Sequence, residues 1–134
     1  MNAEEMYQEV ILEHYRSPRN FGVLDSPTMR VRDSNPACGD VVEVMINLGK
    51  DKKIEEIKFC GKGCAISQAA ASMLTEFLKG KDIKVVKEVT KEDVLGMLGI
   101  ELSGIRLKCA LLSLKVVKVA AYAYLGQEAE HDYA

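Results

Sequence analysis

The sequence predicts an α+β fold: a small antiparallel β-sheet of about three strands with helices packed on one face. Three observations carry this. Residues 40–48 alternate apolar and polar side chains, the period of a half-buried strand, and 54–60 do so again after Gly49-Lys50-Asp51-Lys52. From about residue 64 the apolar spacing changes to three and four, the period of a helix. Strands come first and helices afterwards, without the alternation that builds a parallel sheet.

Taken in order, residues 3–15 read as a helix with Tyr7, Val10, Ile11 and Tyr15 on its apolar side. Glutamates at 4, 5, 9 and 13 solvate the rest, His14 reads as a surface residue, and Ser17-Pro18 stops the helix. Thr28 to Arg32 is a candidate edge strand. In the strand Asp40 to Leu48, Val42, Val44, Ile46 and Leu48 share one face, with Glu43 and Asn47 on the other. Gly49 to Lys52 supplies a hairpin turn, and Ile54 to Cys60 returns with Ile57 and Phe59 on one side. Gly61-Lys62-Gly63 is expected to break that strand.

A helix from about Cys64 to Lys79 follows, its stripe Ile66, Ala70, Met73 and Phe77 flanked by Leu74 and Leu78; Gly80 ends it. Asp82 to Glu88 reads as a short helix. Thr90 is placed to cap Lys91 to Leu98, with Asp93 three residues on. The last helix is expected from about Lys108 to Leu125, with Ala110, Leu114, Val117, Ala121 and Tyr124 facing inward.

The chain has 134 residues, the size of one domain, so 1–134 is read as a single domain with 131–134 as a flexible tail. A hydrophobic fraction of 48% is enough for a packed core. The net charge of -2 gives no field to gather nucleic acid. No apolar run approaches the roughly 18 residues of a membrane span. The stretch Met1 to Met6 is acidic, unlike a secretory signal or an Arg-rich transit peptide, so a reducing cytoplasm is expected. Four cysteines there point to metal or thiol chemistry rather than to two disulfides.

Three of them sit where elements meet. Cys38 lies in Asn35-Pro36-Ala37-Cys38-Gly39-Asp40 before the first long strand, Cys64 follows Gly61-Lys62-Gly63, and Cys109 is expected to open the last helix. A helix N-terminus favours thiolate, the form that ligates metal and attacks sulfur. If the stretch from Cys38 to Asp40 is extended, their side chains point the same way and the carboxylate completes a four-ligand set. Four ligands suit either tetrahedral zinc or a [2Fe–2S] cluster. A carboxylate is the harder and poorer ligand for a sulfide-bridged iron, as a temporary holder requires. The spacings, 26 residues from Cys38 to Cys64 and 45 from Cys64 to Cys109, are not the CxxC pairs of a zinc ribbon.

Four stretches resemble one family. Asn35 to Asp40 is similar to the NPxCGD signature of the U-type iron–sulfur cluster assembly scaffolds (IscU, SufU and the N-terminal part of NifU). Gly63 to Ser72 (GCAISQAAAS) resembles that family's second-cysteine helix, Arg106 to Ser113 (RLKCALLS) its third, and His14 to Asn20 (HYRSPRN) its N-terminal HYxxPRN. The order is kept over nearly the whole chain.

The resemblance implies a scaffold, not an enzyme, that assembles a [2Fe–2S] cluster on Cys38, Asp40, Cys64 and Cys109. It takes sulfur from a cysteine desulfurase and passes the cluster to apo acceptor proteins. The alternative it implies is a zinc-bound, SufU-like sulfurtransferase that accepts persulfide sulfur, with Cys109 as acceptor and Lys108 assisting. The commonest branch has His where this chain has Lys108; the SufU branch has a basic residue there, but also an insertion between the second and third cysteines that this chain lacks. The LPPVK stretch read by a dedicated Hsp70-type chaperone is here Leu102-Ser103-Gly104-Ile105-Arg106, without either proline, so that partner is not expected. A homodimer is left open.

The plainer readings are these. Buried free thiols would account for the cysteines, and a turn cap for Asp40. Cys60 reads as a small packed residue rather than a spare ligand. Lys108 either offsets the site's negative charge or donates to bound sulfur. Lys115 and Lys118 read as a solvated face.

Overall fold

The computed structural model describes residues 2–126. Its elements, in chain order, are α1 (Ala3–Arg16), β1 (Met29–Asn35), β2 (Asp40–Leu48), β3 (Ile54–Lys62), α2 (Ala65–Leu78), α3 (Val85–Glu88), α4 (Lys91–Leu98) and α5 (Ile105–Leu125). The strands form an antiparallel sheet in the order β1-β2-β3. The tail expected at 131–134 lies outside the described residues.

The register follows from the alternation. Val31 and Phe59 flank Val44, and Met29 and Ile57 flank Ile46, so one face of all three strands is apolar. Val42, Val44, Ile46, Ile57 and Phe59 are essentially inaccessible. Helices α2 and α5 cover this face. On the other face Met45 is also fully buried. Arg30, its cross-strand partner, donates to the carbonyl of Leu24 at 3.4 Å and approaches Met45 Sδ at 3.6 Å, which draws the segment before β1 over that side.

β1 is longer than expected and runs to Asn35. β3 does not break at Gly61 but continues through Lys62. Gly61 pairs with Val42 at a φ of +140°, and a Cβ there would collide with the carbonyl of Val41, so only glycine lets the strand pass.

α2 is buried on almost every side. Ala69, Ala70 and Ala71 let α1, α5 and β3 approach it closely. Phe77 therefore falls outside the core; it is 41% exposed, with the Lys81 ammonium 4.8 Å from its ring centre. Tyr124 is likewise exposed rather than inward-facing. On α1 only Ile11 of the expected apolar side is buried, while Tyr7, Val10 and Tyr15 stay exposed.

His14 is the larger correction. It is buried, with Nδ1 2.7 Å from Ser72 Oγ, and Ser72 Oγ also accepts the Arg19 N–H at 2.8 Å. Burial, and then the Arg19 charge, hold its pKa below the usual histidine value. This pairing fastens α1 to α2 and directs the chain toward β3. There Asn20 accepts the Phe59 N–H, and Phe59 accepts that of Gly22, both at 2.9 Å.

α4 starts at the expected capping box, with Thr90 and Asp93 satisfying each other's backbone N–H groups. Such a cap contributes about 1 kcal/mol. Lys118 is half-buried and donates to the carbonyl of Lys87 at 3.1 Å, and Lys115 pairs with Asp33 at 2.9 Å. They do not form a simply solvated face.

Candidate metal centre

The centre is assembled where three chain segments end. The first is the β1–β2 turn. The carbonyl of Asn35 accepts the N–H groups of Cys38 (3.2 Å) and Gly39 (2.8 Å), and its side-chain oxygen accepts that of Ala37 (3.1 Å). Gly39, at a φ of +76°, completes the reversal. Cys38 and Asp40 therefore meet through a tight turn, not through the extended backbone expected. Asp40 is the first residue of β2 and shares the face of Val42, toward the helices; it is 3% exposed.

The second segment is the passage from β3 into α2. Cys64 caps α2, with its Sγ accepting the Ser67 N–H at 3.5 Å. Its own N–H donates to Asp40 Oδ1 at 3.2 Å, and its thiol to Oδ2 at 3.7 Å. Gly63 leaves room for this. A Cβ there would lie 2.8 Å from Asp40 Cγ and Oδ1 and 2.9 Å from Ser67 Oγ.

The third segment is α5. It starts at Ile105, after Gly104 at a φ of +61°, so Cys109 does not open the helix but sits just beyond its first turn. The argument for a thiolate stabilised by a helix N-terminus does not apply to it. Cys109 is 3% exposed, and its Sγ lies 3.2 Å from that of Cys38.

Ligating atoms of Cys38, Asp40 and Cys109 all lie within 4.8 Å of one another, and Cys64 joins them through Asp40. The site is graded in depth. Asp40 and Cys109 are buried, Cys38 is partly buried and Cys64 is exposed. All four cysteines are free thiols.

Burial pushes the Cys109 thiol far up, reinforced by its hydrogen bonds to Cys38 and Asp40 and by the nearby charges of Cys64 and Asp40. A cation is the natural partner for four acidic side chains drawn this close together. Three sulfurs and one oxygen, drawn from separate segments and open on one side, fit a thiophilic metal or an iron–sulfur cluster.

Cys60 is not brought to the centre. It pairs with Glu43 on the opposite face, with Sγ 3.5 Å from Glu43 Oε1, and burial followed by the Glu43 carboxylate raises its pKa. Lys108 is exposed and, with Asn35, Pro36 and Leu112, lines a groove of about 310 Å³ beside the centre. Two residues not singled out from the sequence also matter. Gly63 makes the space that Asp40 occupies, and Ser67 presses against it; a glycine beside a candidate ligand was the available signal.

Residues 6–131 match the family model described as NifU-like N terminal domain. The chain is 36% identical over 134 residues to the zinc-dependent sulfurtransferase SufU of Bacillus subtilis (strain 168), covering 87% of this chain and 90% of that protein. It is 35% identical over 121 residues to the iron–sulfur cluster assembly scaffold protein IscU of Rickettsia prowazekii (strain Madrid E), covering 88% and 91%. Its fold is similar to that of FiSufU from Fervidobacterium islandicum AW-1, with a TM-score of 0.71 at 24% identity over 90% of this chain and 99% of that one.

Proposed function

This chain belongs to the NifU-like N-terminal domain family, and from that premise we propose that it is a scaffold for iron–sulfur cluster assembly. A [2Fe–2S] cluster is built from iron and desulfurase-derived sulfur on Cys38, Asp40, Cys64 and Cys109 and is then passed to apo acceptor proteins. Residues 1–134 act as one scaffold domain.

One observation carries the reading: a buried carboxylate sits among three thiols that come from three separate segments. A purely structural site would gain by using a fourth thiolate. A carboxylate oxygen binds iron less well and is the ligand an incoming acceptor thiol displaces first. The exposed position of Cys64 supports entry and exit on that side. Cys109 is the proposed sulfur acceptor. Burial above all pushes its thiol pKa up, and a cation bound beside it favours the thiolate, so sulfur delivery follows metal binding. Lys108, one residue away and exposed, offsets the negative charge of the centre.

The second reading is a zinc-bound sulfur relay that accepts persulfide on Cys109. The similarity to a protein named as a zinc-dependent sulfurtransferase favours it, as does the basic Lys108 before the third cysteine. In both readings a cysteine desulfurase is the sulfur source. No described helix is long and apolar enough to cross a membrane.

Anaerobic purification followed by iron, acid-labile sulfide and zinc analysis separates the two. The scaffold reading expects a brown-red protein in which iron and sulfide are equimolar. A colourless protein with zinc and no sulfide, resistant to anaerobic reconstitution, contradicts it and selects the relay.

A further inference from the structure

We infer that Ser67 is a positioning residue that holds Asp40 on the cargo, with its hydroxyl kept as a donor for the loaded state. The inference rests on Asp40 being a ligand, as proposed above. Ser67 is 1% exposed, and its Oγ has no hydrogen-bond partner among the described residues. A buried hydroxyl without a partner is unfavourable, so it calls for a partner in another state. Ser67 Oγ and Asp40 Oδ1 lie within 2.9 Å and 2.8 Å of one point, the place a Cβ on Gly63 would fill.

Position identifies the partner. Asp40 Oδ1 accepts the Cys64 N–H, and Oδ2 accepts the Cys64 thiol. Of the three buried side-chain atoms without a partner among the described residues, Ser67 Oγ is the one that shares with Asp40 the space in front of Gly63. When one carboxylate oxygen is on the metal, the Ser67 O–H donates to the other. The Ser67 N–H continues to hold Cys64 Sγ. One residue then orients two neighbouring ligands, the carboxylate through its hydroxyl and the sulfur through its amide.

The test compares wild type, Ser67→Ala, Asp40→Ala and the double variant. Two quantities are measured: the melting temperature of the cargo-free protein, and the decay of visible absorption after anaerobic reconstitution with iron and sulfide and exposure to air. Ser67→Ala removes a hydroxyl that is idle in the empty protein, so its cargo-free melting temperature should equal or exceed wild type. Its cluster should be lost about tenfold faster, the usual size of an outer-shell effect. In the Asp40→Ala background the same change should have no effect on decay. A lowered cargo-free melting temperature, or an undiminished effect without Asp40, overturns the inference. If Asp40→Ala differs from wild type but Ser67→Ala does not, the inference fails and the ligand assignment stands. If Asp40→Ala decays like wild type, the ligand assignment itself fails.

Discussion

Asp40 Oδ1 accepts the backbone N–H of Cys64 at 3.2 Å, so the first residue of β2 is fastened to the cap of α2. The carboxylate is one of the joints that hold the sheet and helix ends together around three thiols. Its loss, its displacement and its loading should each have a structural as well as a chemical signature.

Gly63→Ala tests the space around that joint. The added methyl falls 2.8 Å from Asp40 Cγ, so the carboxylate must move. Overpacking of this kind costs about 1–3 kcal/mol. The variant should fold with a lowered melting temperature and take up far less metal than wild type, as read by elemental analysis. Unchanged uptake would show that the position of Asp40 is not critical.

The thiol of Cys109 should give the cation-free protein an alkaline instability. Its folded pKa lies above the unfolded value, so the folded state binds the proton more tightly. The contribution is complete below the ordinary thiol range and is lost as pH rises through and beyond about 8.5. Cation-free protein should melt at lower temperature at pH 9.5 than at pH 7.5, the two conditions chosen on the order of one unit either side of that value. Cys109→Ser should flatten the decline, leaving a residue from Cys60, whose thiol is also raised. An equally steep decline in the variant would contradict the assignment.

Metal should stabilise the fold. The proposed ligands come from the β1–β2 turn, the cap of α2 and the second turn of α5, and a bound centre would tie these together. Loaded protein should melt at a higher temperature than cation-free protein, and the gap should widen with pH because loading releases thiol protons. Superimposable melting curves would argue for a peripheral metal.

Sulfur should be found on Cys109 after incubation with a cysteine desulfurase and cysteine, and more of it when metal is present. Peptide mass spectrometry reads this directly. Persulfide on Cys60 alone would remove Cys109 from this role, although Cys60 faces away from the centre.

Much of this was legible in the sequence because it is local. The alternation from Asp40 to Leu48 gave β2 its full length, and Thr90 with Asp93 marked the start of α4. What was missed depends on distant partners or on backbone that carries no side-chain signal. His14 reads as surface until Ser72, 58 residues away, is packed against it. The early start of α5 follows from Gly104, a cap without a side chain, and it moves Cys109 off the helix N-terminus. The meeting of Cys38 and Asp40 was expected from an extended chain, whereas the Asn35 carbonyl builds a turn. The candidate ligands were visible as residue types at glycine-flanked junctions; their differing depths were not, because depth is a property of the packed whole.

The most direct test of the central claim is the lifetime of the cluster in Asp40→Ala beside wild type, followed by visible absorption in air and by donation to an apo-ferredoxin. If Asp40 is the easily displaced ligand, its removal takes away the place where transfer begins, so the variant should keep its colour longer and donate more slowly. If Asp40 only braces the turn and the cap of α2, its loss should loosen the site and the colour should fade sooner. Slower bleaching with slower donation is the result expected of a transient scaffold; faster bleaching in the variant would contradict it, even with Cys38, Cys64 and Cys109 still bound to iron.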